Sequence, residues 1–102
     1  MITFIVNFDL PESVTLDEAR ERSQDTAPKY RSVPGLIRKH YLFSQAPHKS
    51  GGAYRFETRE QAKALFNSEW LERIRQTYGS ELTLTYFESP VVVGNVAGKI
   101  IS

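Results

Sequence analysis

The stretch MITFIVNFD opens the chain with Ile2, Phe4, Val6 and Phe8 on one side of an extended backbone and Thr3, Ile5, Asn7 and Asp9 on the other. A two-residue period of this strength makes a strand with one strongly apolar face, and such a face has to be covered by a second layer. Pro11 ends the strand. Thr15, followed three positions later by Glu18, forms a capping box that starts a helix near Leu16. Leu16, Ala19 and Ser23 fall on one side of that helix, while Asp17, Glu18, Arg20 and Glu21 spread over the other. Pro28 is expected to kink or interrupt it before Tyr30. After the Pro34-Gly35 turn signal, Leu36 to Gln45 reads as a second strand, and APHKSGG connects it to a third at Ala53 to Glu57, making a hairpin. Gly51 and Gly52 allow positive φ or a close backbone approach. Thr58 caps a helix whose stripe is Ala62, Leu65, Phe66, Trp70 and Ile74, Gly79 punctuates its end, and Leu82 to Glu88 alternates as a fourth strand.

The order strand, helix, strand, strand, helix, strand predicts an α+β fold, a ferredoxin-like antiparallel sheet with its helices on one face, in a single domain spanning residues 1–102. The other sheet face then stays open. Ile5 stands opposite Phe4 and Val6, and Phe87 stands opposite Leu84 and Tyr86, so this second face also needs cover. Beyond Pro90 the tail, residues 90–102, contributes Val91, Val92, Val93, Val96, Ile100 and Ile101. Both features predict a homodimer, with the tail at the interface.

Composition narrows the partners. The 13 basic and 12 acidic residues are interspersed, which argues against nucleic acid and against an anionic membrane surface. No apolar run approaches the roughly 20 residues that cross a bilayer, and the N-terminus lacks a basic leader, so a cytoplasmic protein is expected. With no cysteine there is no thiolate nucleophile or sulfur-ligated metal, and the two histidines lack a carboxylate at ligand spacing, so no metal site is expected. The glycine pair precedes a strand, unlike the glycines of a phosphate-binding loop.

TAPKYRSVPGLIRKHYL, residues 26–42, and GGAYRFETREQAKALF, residues 51–66, together resemble the dimeric α/β-barrel proteins. Within them, the chain is similar to the small monooxygenases related to antibiotic-biosynthesis monooxygenases. The resemblance spans most of the chain. It implies two ferredoxin-like protomers whose sheets pack into a barrel, a pocket in each protomer between sheet and helices, and oxidation of a small aromatic or quinol-like compound without a cofactor. A deprotonated phenol can itself pass an electron to dioxygen, so the protein has mainly to bind, orient and stabilise an anion.

On that implication the catalytic candidates are His40 as base, Asn7 as hydrogen-bond partner and Arg38 as anion stabiliser, with Tyr41, Tyr54, Arg55, Trp70 and Tyr86 contacting an aromatic ligand. Each has a structural alternative. His40 also suits a surface or an interface, Asn7 a structural hydrogen bond, Arg55 an intersubunit ion pair, and Trp70 a core position on the helix stripe. His48, in the turn-rich connection, reads as a solvated loop residue. Some relatives degrade heme with an Asn, a Trp and an axial His. Here no His follows Trp70 and Tyr78 stands in that region, so heme cleavage is disfavoured. Two further functions fit the same pocket: a non-catalytic small-molecule binding or stress-response module, and an isomerase or decarboxylase with His40 moving protons.

Overall fold

The computed structural model describes every residue except Ser80, Ala97 and Ser102, and for Ile101 the backbone alone. Among the described residues the elements are, in order, β1 (Ile2–Asp9), α1 (Leu16–Tyr30), β2 (Leu36–Gln45), β3 (His48–Phe56), α2 (Arg59–Leu65), α3 (Ser68–Tyr78), β4 (Leu82–Glu88), β5 (Val92–Gly94) and β6 (Lys99–Ile101). The first four strands to pair make an antiparallel sheet in the order β2-β3-β1-β4, which is the ferredoxin-like arrangement. β1 lies between β3 and β4, and its alternation decides the faces. Ile2, Phe4, Val6 and Phe8 are all buried, whereas Thr3, Ile5 and Asn7 on the opposite side are only half-buried.

The core forms where that apolar face meets the helices. Phe56 and Ala62 are fully buried, and Phe66 and Trp70 are 7% and 4% exposed. Phe66 sits at the centre of an aromatic cluster, with ring centroids 4.9 Å from both Tyr54 and Trp70 and 5.2 Å from Phe4. Edge-on geometry at Tyr54 and Trp70 matches the ring quadrupoles as well as filling space.

Three local features depart from the pattern expected from the sequence. The stripe from Ala62 to Ile74 is carried by two helices, because the backbone leaves helical geometry at Phe66 and Asn67 then caps a new helix, its Oδ1 accepting from Trp70 N–H at 2.9 Å. Helix α1 continues through Pro28 to Tyr30. The proline forgoes the bond to the carbonyl four residues back, and the helix closes two residues later with Arg31 N–H donating to Pro28 O at 3.3 Å. The start of α1 keeps half of its capping box, Glu18 N–H donating to Thr15 Oγ1 at 3.2 Å.

The third difference is the hairpin. Pairing begins at Gln45 with His48, so the turn is Ala46-Pro47, joined by a cis bond, and the two glycines lie inside β3. They serve close approach. A Cβ on Gly51 would collide with the Val6 carbonyl, and one on Gly52 would lie 2.8 Å from the Tyr54 ring. His48 is likewise a strand residue, its Nε2 hydrogen-bonded with Val14 O at 2.7 Å.

Strand β2 carries one irregularity. Leu36 pairs with Phe56 and Arg38 with Arg55, which leaves Ile37 unpaired in a bulge. Leu36 and Lys39, three positions apart, therefore both face the helices.

The tail beyond β4 forms its own two-stranded antiparallel sheet, β5 with β6, which among the described residues is not hydrogen-bonded into the main sheet. Val93 and Ile100 are exposed there, at 61% and 72%. The side chain of Ile101, counted above among the apolar tail residues, lies outside the described residues, as do Ala97 and Ser102.

Candidate functional site

Helix α1 has no fully buried residue, and the side it turns to the sheet is small or polar: Ala19, Arg22, Ser23, Thr26 and Tyr30. A helix with so little bulk cannot fill the space above β2 and β3. The result is a cavity of about 80 Å³, closed on the sheet side by Val6, Phe8, Lys39, Tyr41, Gly52 and Tyr54 and on the far side by Trp70, Ile74 and Tyr78 of α3.

Lys39 is the chemically distinctive group in it. Its Nζ stands 3.5 Å from the ring centroid of Tyr30, 3.8 Å from that of Tyr41 and 4.7 Å from that of Tyr54. Ring faces attract an ammonium, but they replace the water that would otherwise solvate it. Loss of water dominates, and burial lowers the Lys39 pKa from 10.5 to about 7. Among the described residues no carboxylate lies within ion-pairing distance of this amine to hold its charge.

The surrounding phenols move the opposite way. Burial, reinforced by Tyr30, holds the Tyr54 hydroxyl protonated far above the usual range. Tyr41 is raised by burial and partly relieved by its hydrogen bond with Thr26 Oγ1, at 2.7 Å. Burial raises Tyr78 too, opposed by the Arg22 guanidinium. Tyr30 is fixed from two sides, edge-on to Tyr41 with centroids 6.4 Å apart and accepting from Trp70 Nε1–H at 3.4 Å. An amine that is uncharged for about half the time at neutral pH thus sits among neutral phenols, so base and donors share one apolar space.

Of the residues expected from the sequence to form a site, Tyr41, Tyr54 and Trp70 line this cavity. Tyr86 is on the same sheet face but at its β4 edge, stacked on Phe4 at 5.4 Å with the Arg59 guanidinium 4.5 Å from its ring. Asn7, Arg38, His40 and Arg55 lie on the opposite face of the sheet. There Arg38 pairs in register with Arg55, His40 with Ala53, and Asn7 with Gly51 and Thr83. Arg55 Nε is buried without a hydrogen-bond partner among the described residues. The two groups are separated by the thickness of the sheet. The cavity instead brings in Lys39, Tyr30, Thr26 and Ser23, which sequence reasoning passed over. Among the described residues no three His, Asp or Glu side chains cluster as a metal site would require, and no helix is long and apolar enough to cross a membrane.

Residues 4–94 match the sequence profile of the family described as "Putative mono-oxygenase ydhR". No curated protein sequence matches the chain. Among solved structures, a "putative antibiotic biosynthesis monooxygenase" from Deinococcus radiodurans superposes with a TM-score of 0.65 at 12% identity, covering 92% of this chain and 97% of its own. The ActVA-Orf6 monooxygenase of Streptomyces coelicolor, in complex with nanaomycin D, gives 0.65 at 14% identity over 86% of both chains. SnoaB, a cofactor-independent oxygenase from Streptomyces nogalater, gives 0.61 at 16% identity over 86% of this chain and 91% of its own. At such identities the likeness establishes a shared fold.

Proposed function

The chain belongs to the mono-oxygenase family described by the ydhR profile, and we propose that it oxidises a small phenol- or quinol-like aromatic compound with dioxygen, in the Lys39 cavity and without metal or flavin. The observation that carries this reading is the amine of Lys39 buried against the rings of Tyr30, Tyr41 and Tyr54, because the one protein group such a reaction needs is a base in an apolar site. Lys39 Nζ takes the phenolic proton, and the ammonium formed stabilises the phenolate beside it. The phenolate gives one electron to dioxygen, the phenoxyl radical and superoxide join in a new bond at the para carbon, and the Lys39 ammonium returns its proton to the peroxide. Loss of water from the peroxide leaves a carbonyl, so a phenol with a free para carbon plus dioxygen becomes a quinone plus water. Tyr41 and Tyr54 remain protonated throughout and orient the ring.

Two structural neighbours support the reading: SnoaB is a cofactor-independent oxygenase, and ActVA-Orf6 is a monooxygenase that binds nanaomycin D. The proposal carries a homodimer in the cytoplasm with it. Ile5, Leu42 and Phe87 leave the helix-free face apolar, Leu42 and Phe87 being 38% and 54% exposed, and a second copy of the chain would cover them together with the tail. The test is oxygen uptake by metal-stripped protein against a panel of anthrones and phenols with a free para carbon. Substrate-dependent uptake that Lys39→Met abolishes supports the proposal, and binding of the same compounds without uptake overturns it in favour of a binding module.

A further inference from the structure

The amine that serves as a base toward phenols is also placed as a nucleophile. We propose that Lys39 condenses with the carbonyl group of a small aromatic aldehyde in the tyrosine-lined cavity, forming an imine. This rests on the same cavity as the oxygenase reading but not on any oxygen chemistry.

Four features of the site converge on it. Nζ lies against three ring faces, Tyr30, Tyr41 and Tyr54, an aromatic lining that suits an aromatic partner. No carboxylate within ion-pairing distance holds the amine as a charged partner, among the described residues. Burial leaves about half of it as free amine at neutral pH, against well under a thousandth of an ordinary lysine. Finally, Lys39 lines a cavity of about 80 Å³, a space suited to a small carbonyl compound.

The step is balanced without an oxidant or reductant. The nitrogen lone pair forms a bond to the carbonyl carbon, giving a carbinolamine. The carbon–oxygen bond then breaks, and the oxygen leaves as water with the two hydrogens that the amine loses. Phenols that keep their protons to high pH line the same cavity and suit the role of donor to that departing oxygen.

The test is reductive trapping of the full-length protein with 4-hydroxybenzaldehyde and cyanoborohydride at pH 7, followed by peptide mass mapping. The expected result is a hydroxybenzyl group on Lys39, acquired at least about ten-fold faster than on Lys29, Lys49, Lys63 or Lys99. Equal labelling of all five lysines, or labelling of the exposed ones alone, overturns the inference. Mapping of the unaltered chain decides the matter even if Lys39→Arg fails to fold; where that variant folds, labelling in the cavity disappears. Because oxygen uptake is not the readout, a protein that traps the aldehyde but consumes no oxygen keeps this inference and loses the oxygenase reading, and the reverse result separates them the other way.

Discussion

Lys39 of β2 and Tyr54 of β3 are register partners, and their side chains meet on the helix side of the sheet with Nζ 4.7 Å from the ring centroid. That pairing fixes the amine in the cavity from the backbone up. Lys39→Met keeps the length and apolar stem of the side chain and removes the base. Oxygen uptake is expected to fall by at least about 100-fold, and in the unaltered protein to rise with pH through about 7 as the amine loses its proton. Initial rates from pH 5.5 to 8.5 check both.

Stability should also move with pH. The folded-state pKa of Lys39 is lowered, so between about 7 and its ordinary value of 10.5 the unfolded chain binds more protons than the folded one, and stability rises with pH across that window. Below pH 7 the cost of burying the charged amine is fully present. Tyr41, Tyr54 and Tyr78, with raised pKa values, reverse the slope above about pH 10, where the unfolded chain ionises first. Urea unfolding at pH 6 and pH 9 should show Lys39→Met more stable than the parent at the lower pH, with the difference shrinking at the higher.

Thr26→Val removes the hydrogen bond that holds the Tyr41 hydroxyl at 2.7 Å. The cost in stability is expected to be about 1 kcal/mol. Because that bond is the influence lowering the Tyr41 pKa, its loss raises the pKa further, visible as a delayed tyrosine absorbance step in a spectrophotometric titration.

Trp70→Ala empties a site that is 4% exposed and packed edge-on to Phe66 and Tyr54. A loss of about 3–5 kcal/mol is expected from denaturant unfolding. Trp70→Phe, which keeps the ring but not the indole N–H that reaches Tyr30, should lose far less.

On the far side of the sheet, His40→Ala should leave oxygen uptake within about two-fold, since the imidazole is on the opposite face from Lys39. Phe87→Glu places a charge on the apolar patch proposed to meet a second copy. Sedimentation at micromolar concentration should show the parent as a dimer and Phe87→Glu as a monomer.

Much of the fold was legible because β1 alternates without a break and because Thr15, Thr58 and Gly79 are strong local signals. The split between α2 and α3 was not, since Phe66 and Trp70 sit four apart and suit one continuous stripe equally well. Only the local cap made by Asn67 distinguishes the two arrangements. The glycines were placed in the connection before β3, with positive φ and close backbone approach both open; they lie inside the strand and serve the second, admitting the Val6 backbone and the Tyr54 ring. The site was half legible: Tyr41, Tyr54 and Trp70 are cavity residues, but strict alternation from Leu36 puts Arg38 and His40 on its side of β2 and Lys39 on the other. The unpaired Ile37 reverses that assignment, and a bulge leaves no mark in composition.

The same unpaired residue governs how this strand can change length. Excising Ile37 would give a regular ladder in which Leu36, Lys39 and Tyr41 keep their side of the sheet, so a deletion there is silent for the cavity. A one-residue slip of β2 against β3 further along would instead exchange amine and phenol for the guanidinium of Arg38 and the imidazole of His40. Insertions and deletions in this hairpin therefore have one harmless address, and elsewhere they can replace the cavity's reactive groups as a set with no change in residue identity.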